Sequence, residues 1–491
     1  VWRHDTVPSY ITNTPCIAQA YGRVVRGYWR DCRAGAGPLD PSQPLYIIEL
    51  GAGSGRFACH FLRALLPAAG GPGGQELPFR YVMTDLCSSL LAFWRAHASL
   101  QPLVQAGCLD FALFDAERSG ALTLAGSGTV LAPGTVANPI VVIANYFLGS
   151  IPQDAFHIEG GRLYESLVTV TSAQPEPDPA DPALFGRCRI AYEHWPTGGR
   201  YYGDPDLDGI LQGYRGLPET NLLFPCAALR CLRALARLSG GWLLLLSADR
   251  GYCREAELAG QAEPALALHG SISLPVNYHA LGRYALDQGG QFLHTAHRPA
   301  HLEICALLLG AHPQGYPETR EAYAEAVERG GPDDWYSLKQ ALEAHGDDLS
   351  LEQILAFVRL SGWDARIFGA CIPALHRKLG AASEPLRREL HRAILQVWEM
   401  YYPIGEKHDL AFDLGGLLYK LGDYARALDC YRHSLQLYGP NLSTLHNLAL
   451  CHAMLGRLEE ALACLDQALA RDPAFEAART LRARLQPGAS R

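Results

Sequence analysis

The sequence has no excess of positive charge. Its 42 Lys and Arg residues stand against 50 Asp and Glu, a formal charge of -8, so the global electrostatics oppose a polyanionic partner and no nucleic acid is expected. Long apolar runs are missing too. The longest candidates, Pro139 to Phe147 and Trp242 to Leu246, fall far short of the roughly 20 residues that span a bilayer; they read as buried strands, and no membrane partner is expected. The 14 cysteines are scattered without a CxxC framework. That usage suits reduced thiols rather than a secreted disulfide scaffold, so a cytoplasmic location is expected. Arg3, His4, Asp5, Arg23, Arg26 and Arg30 stud an N-terminal stretch with no sustained apolar segment, and no secretory signal is visible. The chain begins with Val1, which leaves room for an upstream piece.

What is present is 491 residues of ordinary globular composition, 48% hydrophobic and 19% charged, enough for about three domains at roughly 150 residues each. Between Leu45 and Gly310 short apolar runs alternate with helical stretches. Strands are expected near Leu45 to Leu50, Arg80 to Asp85, Phe111 to Phe114, Ile140 to Ala144, Leu243 to Ser247 and Ile304 to Leu309. Alternation of this kind predicts a mostly parallel sheet covered on both faces. The segment Gln174 to Pro182 is rich in proline and acid and predicts an exposed loop inside an insertion near 150–235. After Pro317 the pattern is helical throughout. Residues 1–44 read as an N-terminal helical or lid segment, 45–312 as the α/β domain, 313–407 as a helical linker or degenerate repeats, and 408–491 as a repeat domain.

The repeat is visible on self-comparison: Gly422 aligns with Gly456, Ala427 with Ala461, Leu428 with Leu462 and Tyr431 with Leu465, a period of about 34 residues. Small residues where two helices touch, large ones between them and Pro473 at the end of the second unit suit a stack of antiparallel helix pairs. The segments from His408 to about Phe475 resemble tetratricopeptide repeats, although Gly439 and Pro440 displace the expected terminal proline of the first unit.

The sharpest local signal is Tyr46 to Phe57, in which an apolar strand runs through Glu49, Gly51, Ala52, Gly53 and Gly55 into an apolar helix. Glycines let the backbone turn tightly and approach a ligand, and free N–H groups at the helix start face polar or anionic atoms. By themselves such glycines also fit a plain strand-to-helix turn. Order strengthens the ligand reading. A second strand ends in Asp85, about 30 residues on, where an acid can accept hydrogen bonds from ribose hydroxyls. Asp115 follows a third strand, where it could meet an adenine amino group, and a fourth strand ends in Asn145, Tyr146 and Phe147.

This series resembles the class I methyltransferases that use S-adenosylmethionine, and Glu49 favours them over nicotinamide dehydrogenases. More narrowly, the chain is similar to the MidA-like family, whose members include the mitochondrial complex I assembly methyltransferase acting on an arginine of a partner subunit. Three segments carry the likeness: Tyr10 to Cys16 with Gln19 to Gly22, Ala144 to Pro152, and Ser247 to Tyr252. Together they span about Ser9 to Gly310. The resemblance implies a Rossmann-like class I methyltransferase sheet of the α/β class, with inserted segments, followed by an all-α tetratricopeptide-like domain. It implies S-adenosylmethionine as cofactor, with Glu49, Gly51, Ala52, Gly53 and Gly55 at the methionine and ribose end, Asp85 and Leu86 at the ribose, and Asp115 and Ala116 at the adenine. Asn145 and Tyr146 would line the methyl-transfer mouth as the catalytic pair; their plain alternatives are a turn cap and a core edge.

Acids of the family are replaced here. Cys16 and Tyr146 each stand where the family has Glu, and Gly149 where it has Asp. A guanidinium stays protonated above a pKa of about 12, so methylating one calls for carboxylates that hold it and help remove a proton. Arginine as acceptor is therefore in doubt, with Asp249, Asp154, Glu159 and Glu165 left as acids that could compensate. Cys16 reads as a small filler. His294, His297 and His301 have spacings that could suit a metal on a helix, but Pro299 interrupts it and no metal is expected. Arg387 to Arg392 reads as a solvated face, and Trp398, Tyr401 and Tyr402 as packing between helices. The leading expectation is a methyltransferase acting on a protein or peptide recruited by the helical repeats, with a homodimer allowed. Two others stay open: a catalytically inactive scaffold and a small-molecule biosynthetic methyltransferase.

Overall fold

The computed structural model describes residues 9–66, 78–118, 120–178, 181, 183–265, 267–268, 272–310, 315–346 and 348–486. They form two compact units, one within Asp5–Ser337 and one from Leu338 onward. In the first unit, strands β1 (Leu45–Glu49), β2 (Phe79–Asp85), β3 (Leu109–Leu113) and β4 (Ile140–Asn145) precede an insertion. The insertion holds β5 (Asp154–Glu159), β6 (Arg162–Ser172), β7 (Cys188–Pro196) and β8 (Thr220–Phe224), and the chain then returns as β9 (Leu243–Asp249), β10 (Gln291–Leu293) and β11 (Glu303–Leu309). Seven strands make one sheet in the order β10-β11-β9-β4-β1-β2-β3. The neighbours from β9 to β3 run parallel, while β11 is antiparallel to both β9 and β10.

This is the mostly parallel sheet that the alternation predicts and the Rossmann-like α/β class that the resemblance implies, and the six expected strands are all present. Runs such as IVVIA in β4 and LLLLS in β9 are buried on both faces, which is why they lack period-2 alternation. Helix α1 (Pro15–Asp31) lies N-terminal to the sheet, α2 (Arg56–Leu65) joins β1 to β2, and α3 (Ser88–Ala96) follows β2. Because β2 and β4 flank β1 on opposite sides, the strand order reverses at β1 and β4, and a crevice is expected beyond the carboxyl ends of those two strands. The sequence did not announce β10, which is three residues long, or the four-stranded antiparallel sheet β8-β5-β6-β7 of the insertion. Between β6 and β7 the described part of the Gln174 to Pro182 segment is a loop pinned by Arg187 to Glu176 and Asp181; residues 179, 180 and 182 lie outside the described residues.

Helix α1 is tied to α4 (Pro317–Tyr323) by one buried carboxylate. Asp31 accepts hydrogen bonds from the Glu318 N–H at 3.1 Å, the Thr319 N–H at 2.8 Å and the Thr319 hydroxyl at 2.7 Å, joining elements 287 to 288 residues apart. It serves as a remote cap for the first turn of α4, whose N–H groups have no partner within their own helix. Asp31→Ala is therefore expected to cost about 2–3 kcal/mol by leaving buried donors unpaired, read as a fall in the urea midpoint with an unchanged slope.

The second unit is helical. Leu351–Leu360, Ala365–Lys378 and Glu384–Met400 precede two antiparallel pairs, Leu410–Lys420 with Tyr424–Tyr438 and Leu442–Met454 with Leu458–Arg471, and a last helix Glu476–Leu485. Three of the four aligned pairs take equivalent places: Gly422 and Gly456 turn between the helices of each pair at positive φ, while Ala427, Ala461, Tyr431 and Leu465 are buried; Leu428 is buried where Leu462 is half-buried. Gly415 lets its helix approach the second one closely, because a Cβ there would stand 2.8 Å from the Tyr431 ring. Trp398 packs on Tyr401 and His433, and Tyr402 is buried.

Candidate functional site

The turn after β1 is held by its neighbours on both sides. The Leu50 N–H donates to the Ile143 carbonyl of β4 at 2.8 Å and the Ala52 N–H to the Thr84 carbonyl of β2 at 2.9 Å. The Thr84 hydroxyl donates to the Glu49 carbonyl at 2.8 Å. Gly51, Gly53 and Gly55 all have positive φ, +64°, +51° and +79°, a conformation L side chains rarely adopt. A Cβ on Gly51 would stand 3.0 Å from the Phe147 ring. On the other side of the turn, the buried indole N–H of Trp94 in α3 donates to the Gly53 carbonyl at 2.9 Å.

The carboxyl of Glu49 is buried and accepts from the Tyr81 hydroxyl at 2.9 Å. Burial pushes its pKa up to about 8 against that hydrogen bond, and Asp85 adds to the rise. Asp85 itself accepts from the Gly53 N–H at 3.3 Å and the Cys87 N–H at 3.1 Å, so the acid at the end of β2 meets the glycine turn directly. Leu86 next to it is exposed.

Asp115 and Ala116 are half-buried beyond β3. The Phe114 N–H donates to the Asp85 carbonyl at 3.0 Å, which carries the Asp115 segment to the tip of β2. Asp115 accepts from the Glu117 N–H at 3.0 Å. The acid earlier in that strand is engaged elsewhere, since Asp110 is buried and accepts from the Phe111, Gly126 and Ser127 N–H groups.

On the strand beside β1, Asn145 ends β4. Its Oδ1 accepts from the Tyr21 hydroxyl of α1 at 2.9 Å, and the Tyr21 ring packs edge-on against Phe57 at the start of α2. Its Nδ2 is buried and has no hydrogen-bond partner among the described residues, a costly state for an amide donor. Tyr146 follows with φ +50°, one of two positive-φ non-glycine residues among those described. A bulky residue in that region marks local strain, which gathers at functional sites. Burial, and then Asp249, push the Tyr146 pKa up, so the phenol stays neutral.

Asp249 is buried at the end of β9 and accepts from the Gly149 N–H at 3.0 Å and the Arg250 N–H at 2.9 Å. Burial pushes its pKa up to about 7 against both bonds. A Cβ on Gly149 would stand 2.6 Å from the Leu274 carbonyl oxygen and 3.1 Å from Asp249, so an aspartate side chain has no room there. The other acids considered lie in the inserted sheet. Asp154 accepts from the Tyr202 hydroxyl, Glu165 from the Tyr201 hydroxyl, and Glu159 is exposed on a hairpin. Cys16 is half-buried on α1. His294, His297 and His301 follow β10 in an irregular segment, as Pro299 requires, and they form no common metal-binding group among the described residues.

The structure thus brings Glu49, the glycines, Asp85 and Asn145 into one constellation. Sequence reasoning missed Tyr21, Tyr81 and Trp94, whose polar atoms hold it. Period-2 alternation could have found Tyr81, which shares a strand face with Asp85; nothing local marks Trp94.

Residues 407–474 match the tetratricopeptide repeat family model. No curated protein matches the chain. Among solved structures, it is similar to an inferred methyl transferase from Burkholderia thailandensis bound to S-adenosyl-homocysteine, at 18% identity over 57% of this chain and 63% of that one, with a TM-score of 0.35. An uncharacterized protein of the same superfamily and organism is 16% identical over 60% of this chain and 68% of that one, with a TM-score of 0.36. YrrB, a tetratricopeptide repeat protein with an unusual peptide-binding site, is 20% identical over 34% of this chain and 81% of its own, with a TM-score of 0.26. The chain spans less than two thirds of the first of these structures.

Proposed function

We propose that the α/β unit binds S-adenosylmethionine and transfers its methyl group to a protein or peptide recruited by the helical repeats. One observation carries the reading: a buried amide donor on Asn145 at the end of β4 has no partner among the described residues, beside a glycine turn that meets an acid from β2. Glu49, Gly51, Ala52, Gly53 and Gly55 would hold the methionine and ribose end of the donor, Asp85 and Leu86 the ribose, and Asp115 and Ala116 the adenine. When bound, the donor supplies a methyl group already activated on a sulfonium, so positioning decides the rate.

The chain's own residues do the positioning. Tyr21 fixes the Asn145 amide through Oδ1, which leaves Nδ2 as the donor offered to a ligand. Tyr146 lines the mouth as a neutral phenol, and Asp249, with its pKa near 7, is the acid beside it able to take a proton near neutrality. The tight fit at Gly149 favours a second reading, a silent scaffold that keeps the cofactor but lacks the family's acids.

Calorimetry of the full chain with S-adenosylhomocysteine tests binding, and a properly folded sample that takes up no ligand rejects the proposal. If the ligand binds, donor labelled in the methyl group is incubated with cell extract. Label in protein supports the proposal, label in small molecules moves the acceptor to that class, and label in neither supports the scaffold.

A further inference from the structure

Away from the cofactor constellation, three buried donor groups converge where β11 begins. Glu303 and Cys305 are two residues apart on β11, so both side chains leave the same face of the strand. Cys253 comes from the segment after β9. Its sulfur stands 3.2 Å from the Cys305 sulfur and 3.2 Å from a Glu303 carboxylate oxygen. The three donor atoms lie within 4.8 Å of one another, and the residues are 2%, 6% and 2% exposed for Cys253, Glu303 and Cys305.

As free groups these side chains suit one another poorly. A buried carboxylate is normally met by strong donors, yet the hydrogen bond found for Glu303 comes from a thiol, a weak donor. Oxidation to a disulfide would remove that donor and leave the carboxylate buried without it. A divalent cation gives all three a partner, because it replaces the two thiol protons and takes the carboxylate as a third ligand; the assembled site keeps one net negative charge. Two sulfurs bound to a tetrahedral ion at about 2.3 Å each lie about 3.8 Å apart, so Cys253 and Cys305 need separate by only about 0.6 Å. A disulfide would need them to close by about twice that, about 1.2 Å.

We propose that Cys253, Glu303 and Cys305 form a binding site for one thiophilic divalent cation, zinc by its chemistry, that pins the segment after β9 to β11. Two thiolates and a carboxylate select zinc over magnesium or calcium, which take oxygen ligands. The fourth position falls to water. In register, Cys305 faces Ser247 and Glu303 faces Asp249 on β9, so the ion would brace the strand that carries Asp249.

The probe is Co²⁺ added to the full chain under anaerobic conditions with a phosphine reductant. The expected result is thiolate-to-cobalt charge-transfer absorption together with the visible bands of a tetrahedral ion, saturating at one ion per chain and erased by Zn²⁺. Cys253→Ser and Cys305→Ser should each weaken binding at least about tenfold, and Glu303→Gln should weaken it while keeping the charge-transfer band. Circular dichroism reports whether each variant folds, and the wild-type titration stands without them. The proposal is overturned by a reduced wild-type chain that develops no thiolate band, or by a band that survives in both folded serine variants. Recovery of a Cys253–Cys305 disulfide from the native protein, with no metal uptake after reduction, also overturns it.

Discussion

Gly53→Val is expected to abolish binding of S-adenosylhomocysteine to an otherwise folded chain. Gly53 sits at φ +51°, where an ordinary residue costs about 1–2 kcal/mol and a β-branched one is a steric outlier. The turn has little freedom to relieve the strain: the Gly53 N–H is bonded to Asp85 and the carbonyl to Trp94. Valine also places a branched side chain where the proposed function puts the ligand. A loss of affinity of at least about a hundredfold, or about 2.7 kcal/mol, is the expected reading in calorimetry. Gly51→Ala should be milder, since its single methyl meets only the edge of the Phe147 ring at 3.0 Å. Wild-type affinity in a folded Gly53→Val protein would move the ligand away from this turn.

The second large effect is one of pH. Burial raises the Glu49 pKa from 4.5 to about 8, so the folded state holds this proton more tightly than the unfolded chain does. The stability associated with that proton is fully present below about 4.5 and is lost as pH rises through about 8. Unliganded wild-type protein should weaken across this window by an amount on the order of a few kcal/mol. Glu49→Gln cannot ionise and can still accept the Tyr81 hydrogen bond. Its melting temperature should therefore exceed that of wild type at pH 8 and approach it at pH 5, on the order of several degrees apart at the upper end. Asp249, raised to about 7 by burial, remains in the variant and leaves a residual slope below pH 7. Identical melting profiles for the two proteins would show that Glu49 does not carry the proton.

Much of the frame was legible because local pattern and tertiary role agree. β1, β4 and β9 carry continuous apolar runs that are buried on both faces. The glycines after β1 all have positive φ, in keeping with the tight turn expected of them. The 34-residue period reflects helix pairs that repeat the same contacts, and Gly422 and Gly456 turn in the same way. The inserted sheet was not legible. Long stretches of β6 and β7 are exposed, including Val168, Val170 and Trp195, so no buried face imposes a clean alternation on them.

The sequence by itself determined six strands of the main sheet and the repeated helix pairs, where the chain turns after β1, and that β1 and β2 end in acids while another acid follows β3. Periodicity and glycine stereochemistry act within a few residues, so these features are written locally. Only the tertiary structure decided which polar atoms meet. It placed Tyr21 on Asn145, Trp94 on Gly53, Asp31 on α4, and Cys253 between Glu303 and Cys305. It also closed the space at Gly149. Those pairings join residues far apart in the chain, and their strength comes from removing both partners from water, a condition that exists only after the layers have packed.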